Sequence, residues 1–137
     1  MNLKLLATPE EVMRGVEALQ TYGEKHGLDP KILFGLTLAL EECASNIVNH
    51  ALERDATRSF YIAFEKVGGQ MVIELRDAGP AFDPTTIPDR IPSPEDDDEP
   101  PGGWGIQLVR RYVDEIQYQR LVSENVLRLI KNISTSL

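Results

Sequence analysis

One stretch of the sequence, residues 38–51, reads LALEECASNIVNHA and has the spacing of an amphipathic helix. Apolar residues recur three and four positions apart and so share one face: Leu36, Leu40, Ala44, Ile47 and Ala51. Glu42, Asn46 and Asn49 follow the same spacing and form a second, polar stripe beside the first. A carboxylate and two amides in line can hold a metal ion and activate a hydroxyl group. This helix is therefore a candidate for a functional site as well as for the core.

Length and composition bound the class of protein. A chain of 137 residues is expected to form one domain, residues 1–137. One cysteine excludes an internal disulfide framework, and with only two histidines it argues against a structural zinc site. The apolar runs are too short to span a bilayer, and the N-terminus lacks a signal-peptide pattern. We therefore expect a cytoplasmic protein with no membrane association.

The charge of the chain is acidic and unevenly distributed. The formal net charge is −8, which argues against direct binding to nucleic acid, since phosphates attract clustered Lys and Arg. Residues 95–99 are five consecutive carboxylates. Without them, 17 of the 22 acidic residues remain, compared with 14 basic residues. The body of the protein is therefore only mildly acidic.

Two helices are predicted before the first hairpin. Thr8-Pro9 and Asp29-Pro30 each place a capping side chain before a proline, which is typical of a helix start. The first helix should end near His26-Gly27, and the second should continue to about Leu52. A short strand is predicted at residues 2–7. Residues 60–67 and 71–77 are rich in aromatic and β-branched side chains around Gly68-Gly69, which predicts an antiparallel hairpin.

The second half of the chain begins with a long loop. Residues 78–103 contain seven prolines and the five carboxylates, and a loop of this length is either a functional lid or disordered. Helical spacing returns over residues 105–114, and residues 115–122 and 125–133 predict a closing hairpin. This order indicates an α+β fold, a two-layer sandwich with the helices on one face of a mixed, largely antiparallel sheet.

Three segments could carry chemistry, although each also has an ordinary structural explanation. Glu42 and Asn46 on a helix usually belong to its solvated face. Asp77-Ala78-Gly79 at a strand end is usually a turn. Gly103-Trp104-Gly105 before a helix is either a flexible entry or an anion site, because free N–H groups and the positive end of the helix dipole face outward there.

The order of these three segments resembles the GHKL ATPase superfamily, which has the Bergerat fold. Within it, the chain is most similar to the small bacterial anti-sigma factor serine/threonine kinases, over nearly its whole length. The resemblance implies an ATP- and Mg²⁺-dependent kinase that acts in partner switching and transcription regulation. Such a protein phosphorylates an antagonist protein and binds a sigma factor, and a homodimer is expected by analogy.

The resemblance also implies roles for single residues. Glu42 resembles the general base that accepts the proton of the substrate serine. Asn46 resembles the ligand of a magnesium ion that bridges the ATP phosphates. Asp77 would accept the adenine amino hydrogen, and Gly79 would allow the backbone to approach the base, with Ala81 and Phe82 in the same adenine motif.

Further implied positions lie around the phosphates. Gly103 and Gly105 would present backbone N–H groups, with Ile106 onward supplying the helix, and residues 83–101 would form the ATP lid. Asn49 and His50 would lie near the phosphates or on the surface. Trp104 would pack over the lid or anchor the core.

Departures from the family pattern define a second hypothesis. Ala81 stands where the adenine motif usually has a second glycine. Glu124-Asn125-Val126 stands where many relatives carry Gly-Thr, whose threonine helps to hold the adenine pocket. The acidic run 95–99 would repel a triphosphate. These features motivate a non-catalytic, nucleotide-binding partner-switching module. A third hypothesis, the catalytic half of a histidine kinase, lacks a companion dimerisation helix in this sequence.

Overall fold

A computed structural model describes residues 1–86 and 103–133. In these ranges the chain forms, in order, the following elements: β1 (Asn2–Leu6), α1 (Pro9–Lys25), α2 (Pro30–Asn46), a π-helical turn (Ile47–Ala51), β2 (Ser59–Val67), β3 (Gln70–Asp77), a 3-10 turn (Pro84–Thr86), α3 (Gly103–Tyr112), β4 (Glu115–Arg120) and β5 (Asn125–Asn132). Each predicted helix and strand is present within a few residues of its expected bounds, except that α2 ends at Asn46 and the π-helical turn follows it. Of the expected lid, only residues 83–86 fall within the described ranges.

The strands form one five-stranded sheet in the order β1-β2-β3-β5-β4. All four pairings between the described strands are antiparallel, so the sheet has no parallel pair where a mixed one was expected. Because β5 lies between β3 and β4, its first residue, Asn125, is paired with the last residue of β3, Asp77. This register brings a late segment of the chain to the strand end that was predicted to carry chemistry.

The helices cover one face of the sheet. Alternate residues of the central strands are buried beneath them: Phe60, Ile62, Phe64, Met71, Ile73 and Leu75. The helices contribute Leu19, Leu33, Leu36 and Leu40 to the same core. The predicted α+β sandwich is therefore confirmed. No helix in the described ranges is long and apolar enough to cross a membrane.

Local capping explains where the first two helices begin. The hydroxyl oxygen of Thr8 accepts a hydrogen bond from the backbone N–H of Glu11 at 3.2 Å. The carboxylate of Asp29 accepts one from the N–H of Lys31 at 2.7 Å. Both helices then begin with a proline, whose missing N–H costs nothing at that position.

The end of the second helix differs from the prediction. After Asn46 the chain continues as a π-helical turn, closed by a hydrogen bond from the N–H of Leu52 to the carbonyl of Ile47 at 2.8 Å. Glu53 and Arg54 then adopt positive φ angles of 53° and 57°. The apolar spacing of this segment suits either kind of helix over a single turn, so the sequence pattern could not reveal the change. π-Helical turns occur frequently at functional sites.

Candidate functional site

A direct contact between α2 and α3 joins the first and third segments. A Cβ atom placed on Gly105 would lie 2.6 Å from Cδ and 2.7 Å from Cγ of Glu42. These distances are shorter than carbon atoms tolerate, so the absence of a side chain at Gly105 is what allows the Glu42 carboxyl group to lie there. The Glu42 side chain therefore rests against the first turn of α3.

The environment of Glu42 favours its protonated form. Partial burial raises the pKa of the Glu42 carboxyl group above its usual value, and the neighbouring carboxylate of Glu41 raises it further. The imidazole of His50 acts in the opposite direction and more weakly. A carboxylate with a raised pKa is a stronger base, which suits proton abstraction near neutral pH.

The second segment is built around a buried carboxylate at the end of β3. The side chain of Asp77 is only 6% exposed. Its Oδ1 accepts hydrogen bonds from the N–H of Gly79 at 2.9 Å and from Nδ2 of Asn125 at 3.1 Å. No described residue donates a hydrogen bond to Oδ2 of Asp77. Asp77 therefore has one oxygen fixed by the protein and one available to a ligand.

Asn125, which was not among the predicted site residues, binds the loop that follows β3. Besides Asp77, its Nδ2 donates to the carbonyl of Pro80 at 2.8 Å and, at 3.4 Å, to that of Gly79. The side chain is 6% exposed, so these bonds form in a buried place.

The oxygen of the same amide is also bonded. Oδ1 of Asn125 accepts from the hydroxyl of Tyr118 at 2.5 Å and from the N–H of Phe82 at 3.3 Å. One signal in the sequence could have identified Asn125. With the strand period of two, it shares the inward face with Leu127 and Leu129, where a polar residue needs buried partners.

Close packing joins the Asp77 loop to the end of the second helix. A Cβ atom placed on Gly79 would lie 2.7 Å from the Cβ and 2.9 Å from the carbonyl oxygen of Ala51. Two arginines that the sequence analysis did not single out also bond to this loop. Arg58 donates to the carbonyl of Ala78 at 3.2 Å, and Arg120 donates to that of Gly79 at 2.8 Å.

The predicted polar stripe therefore lies between two fixed ends, Glu42 beside α3 and Ala51 beside the Asp77 loop. Asn46 is half-buried between them, and its side chain makes no hydrogen bond to the described residues. Asn49 is already engaged, because its Oδ1 accepts from Nε of Arg54 at 2.8 Å. His50 is exposed. Of the two asparagines, Asn46 has the free amide.

The side chains of the site can be compared with the ligands that the expected magnesium ion requires. The described residues contain no cluster of three or more His, Cys, Asp or Glu that could hold a metal by itself. A magnesium ion at Asn46 would therefore need oxygen ligands from phosphate groups and water, which is a common arrangement for this ion. The free amide of Asn46 fits that need.

The remaining predicted residues divide into surface, core and undescribed positions. Ala81 and Phe82 are exposed, Phe82 by 58%, while the side chain of Ile106 is buried in the core at 3%. Gly103 begins α3, but the Trp104 side chain and lid residues 87–101 lie outside the described part of the structure. Cys43 is a core residue, and burial raises the pKa of its thiol to about 12.

Comparison with known proteins identifies the class to which this fold and site belong. Residues 5–131 match the model of the histidine kinase-like ATPase domain, and the chain belongs to this family. The predicted GHKL superfamily is thereby confirmed. Among individual proteins, the chain is 30% identical over 99 residues to the serine/threonine-protein kinase BtrW of Bordetella bronchiseptica, covering 72% of this chain and 70% of that protein.

Solved structures agree on the fold. The chain superposes on the structure of the RsbU and RsbW domains of Rv1364c from Mycobacterium tuberculosis with a TM-score of 0.70 and 17% identity, covering 99% of this chain but only 33% of that longer one. A chain of the SiaB–SiaC complex from Pseudomonas aeruginosa gives a TM-score of 0.69 at 12% identity, covering 95% of this chain and 88% of that one. The histidine kinase AdeS of Acinetobacter baumannii gives 0.52 at 14% identity, covering 98% and 68% of the two chains.

Proposed function

We propose that this protein is an ATP-dependent serine/threonine protein kinase and anti-sigma factor that acts in partner switching. The observation that carries the proposal is the 30% identity to BtrW, a serine/threonine-protein kinase, over 70% of that protein's length. The convergence of Glu42, Asn46 and the Asp77 loop along one helix supports it. In this proposal the chain is a single domain whose residues 83–101 form a lid over the nucleotide.

In this proposal, different residues hold the different parts of ATP. Oδ2 of Asp77 is an acceptor for the amino group of adenine, and Gly79, which packs against Ala51, would allow the loop backbone to approach the base. At the other end of the site, the backbone N–H groups at the start of α3, from Gly103 and Gly105, would bind the phosphates. Asn46 would hold a magnesium ion that neutralises part of the phosphate charge when it is bound.

Glu42 supplies the general base in this mechanism. Its carboxylate accepts the proton of the substrate serine hydroxyl while that oxygen forms a bond to the γ-phosphorus and the bond from the phosphorus to the leaving ADP oxygen breaks. Phosphoryl transfer depends mainly on positioning and charge neutralisation, so one base and one metal site are sufficient. The raised pKa of Glu42 strengthens it as a proton acceptor.

Labelling tests the proposal directly. The protein is incubated with Mg²⁺, γ-labelled ATP and a purified antagonist protein that has been shown to bind it. We expect label on a serine or threonine of the antagonist, and we expect Glu42→Gln to abolish it. Glu41→Gln is the matched control, because Glu41 precedes Glu42 on α2 and should leave labelling intact. A bound antagonist that acquires no label contradicts the kinase activity.

A non-catalytic partner-switching module is the second candidate, and the acidic run at residues 95–99 favours it. Five carboxylates in a lid would repel the triphosphate on closure, which weakens catalysis more than partner binding. In this case Glu42→Gln should leave the affinity for the antagonist and for Mg-ATP unchanged, and no label should appear with the unmodified protein either.

The proposed partners are a sigma factor and an antagonist protein in the cytoplasm, and a homodimer is proposed by analogy alone. Sedimentation equilibrium measures the oligomeric state. Competition between purified sigma factor and antagonist for the protein measures partner switching. Simultaneous, independent binding of both partners would contradict the switching part of the proposal.

A further inference from the structure

We propose that Asn125, together with the hydroxyl group of Tyr118, positions Asp77 to recognise an exocyclic amino group. The pair would thereby set the preference of the site for adenine over purines with a carbonyl at C6. The inference rests on the proposed nucleotide-binding function, and it assigns the base specificity to a residue outside the three predicted segments.

The hydrogen bonds of Asn125 fix the orientation of its amide. Its nitrogen faces only acceptors, namely the carboxylate of Asp77 and the carbonyl oxygens of Gly79 and Pro80. Its oxygen faces only donors, the hydroxyl of Tyr118 and the N–H of Phe82. A rotated amide would set oxygen against oxygen on one side and nitrogen against N–H on the other. The side chain therefore has one favourable orientation.

This orientation determines which oxygen of Asp77 remains free. Nδ2 of Asn125 and the N–H of Gly79 both donate to Oδ1, which compensates the buried charge on that side of the carboxylate. Oδ2 is left as an acceptor. Without Nδ2 of Asn125, the carboxyl group could rotate and present either oxygen, and its position relative to a bound base would be less defined.

Asn125 also fixes the conformation of the loop after β3. It bonds to the carbonyl of Pro80 and to the N–H of Phe82, on either side of the exposed Ala81. On β4, the hydroxyl group of Tyr118 donates a hydrogen bond to the amide oxygen of Asn125. The strand end, the loop and the first residue of β5 should therefore keep a constant geometry around the base.

A fixed acceptor at Oδ2 discriminates between bases by charge and hydrogen bonding. The amino group at C6 of adenine donates to Oδ2, whereas the carbonyl at C6 of hypoxanthine would set two acceptors against each other. A buried site built to bond a donor rejects a ligand that lacks it, because its own polar group is then left unpaired. ATP and ITP differ at this position, and so they measure the contact.

Isothermal titration calorimetry with Mg-ATP and with Mg-ITP tests the inference. We expect the unmodified protein to prefer ATP, and Asn125→Ala to lower the ratio of the two affinities about tenfold, mainly by weakening ATP binding, as loss of a buried hydrogen bond predicts. Tyr118→Phe removes a single hydroxyl group and should lower the ratio about threefold. Tyr61→Phe, on the face of the sheet opposite the helices, is the matched control and should leave the ratio unchanged.

The outcomes separate this inference from the proposed function. If Asn125 acts only as structural support, both nucleotides weaken by the same factor and the ratio stays constant, which overturns the inference. Asp77→Asn should reduce the ratio whether or not Asn125 matters. Failure of the unmodified protein to bind Mg-ATP overturns the proposed function together with the inference. Should Asn125→Ala fail to fold, an unchanged ratio in Tyr118→Phe overturns the inference by itself.

Discussion

Glu42 is a half-buried carboxylate without a stabilising ion pair among the described residues. Its side chain lies against Gly105, and the neighbouring carboxylate of Glu41 repels it. An arrangement of this kind costs stability, and proteins retain such arrangements mainly where activity requires them. Substitution of Glu42 should therefore abolish the proposed catalysis without unfolding the protein.

The proposed catalytic role of Glu42 predicts that the rate of phosphoryl transfer depends on pH. A general base contributes roughly 10²- to 10⁴-fold, so Glu42→Gln should lower phosphoryl transfer at least about 100-fold with little change in the KM for ATP. In the unmodified protein the rate should rise with pH through a pKa above the usual value of 4.5 for glutamate. Glu41→Gln removes a charge that raises this pKa and should move the rise to lower pH. A rate independent of Glu42 at every pH contradicts the role.

The same raised pKa predicts an effect on stability that needs no substrate. Since the pKa of Glu42 is higher in the folded state than in the unfolded one, its contribution is fully favourable below the unfolded pKa. That contribution is lost as pH rises through the folded pKa. Gln resembles the protonated form, so Glu42→Gln should be more stable than the unmodified protein at neutral pH and equal to it in acid. Urea unfolding at a series of pH values measures the difference, and parallel curves would contradict it.

The contact between α2 and α3 depends on the absence of a side chain at Gly105. Gly105→Ala should destabilise the fold by no more than about 1 kcal/mol, because the new Cβ meets only the outer part of the flexible Glu42 side chain, which can turn aside. In a Glu42→Ala background this cost should disappear, since residues in direct contact are coupled by about 0.5 kcal/mol or more. Chemical denaturation of the four proteins of this cycle measures the coupling. Additive effects would show that Gly105 is constrained by some other neighbour.

The elements show how far the sequence determines this structure. Thr8-Pro9 and Asp29-Pro30 identify two helix starts because capping depends on residues within one turn. The π-helical turn after Asn46 was not predicted, since a change from i→i+4 to i→i+5 bonding leaves the apolar stripe almost unaltered over one turn. Asn125 was noted only as a departure from the family. Its importance follows from the placement of β5 beside β3, which local patterns do not encode.

Over the whole molecule, the site is assembled from segments far apart in the chain. The end of β3 meets the start of β5, the Asp77 loop meets Ala51, and the start of α3 meets Glu42. Glu42, Asp77 and Gly105 could be selected from the sequence. That these residues lie close together in the fold could be predicted only from the order of their motifs, which resembles that of a known family. Arg58 and Arg120, which bond to the Asp77 loop, belong to no such motif and became visible only in three dimensions.

A ligand that bridges these segments should stabilise the entire fold. If Mg-ATP binds the folded state alone, a concentration of about 100 times its Kd adds about 2.7 kcal/mol to the free energy of unfolding. For a chain of this size, we expect a rise in melting temperature of roughly 5–15 °C. Asp77→Asn should reduce the rise because it weakens the proposed contact to adenine, whereas Glu42→Gln should leave most of it, since the proposed base acts on the protein substrate. An equal loss of the rise in melting temperature in both variants would contradict the assignment of base recognition to Asp77 and of catalysis to Glu42.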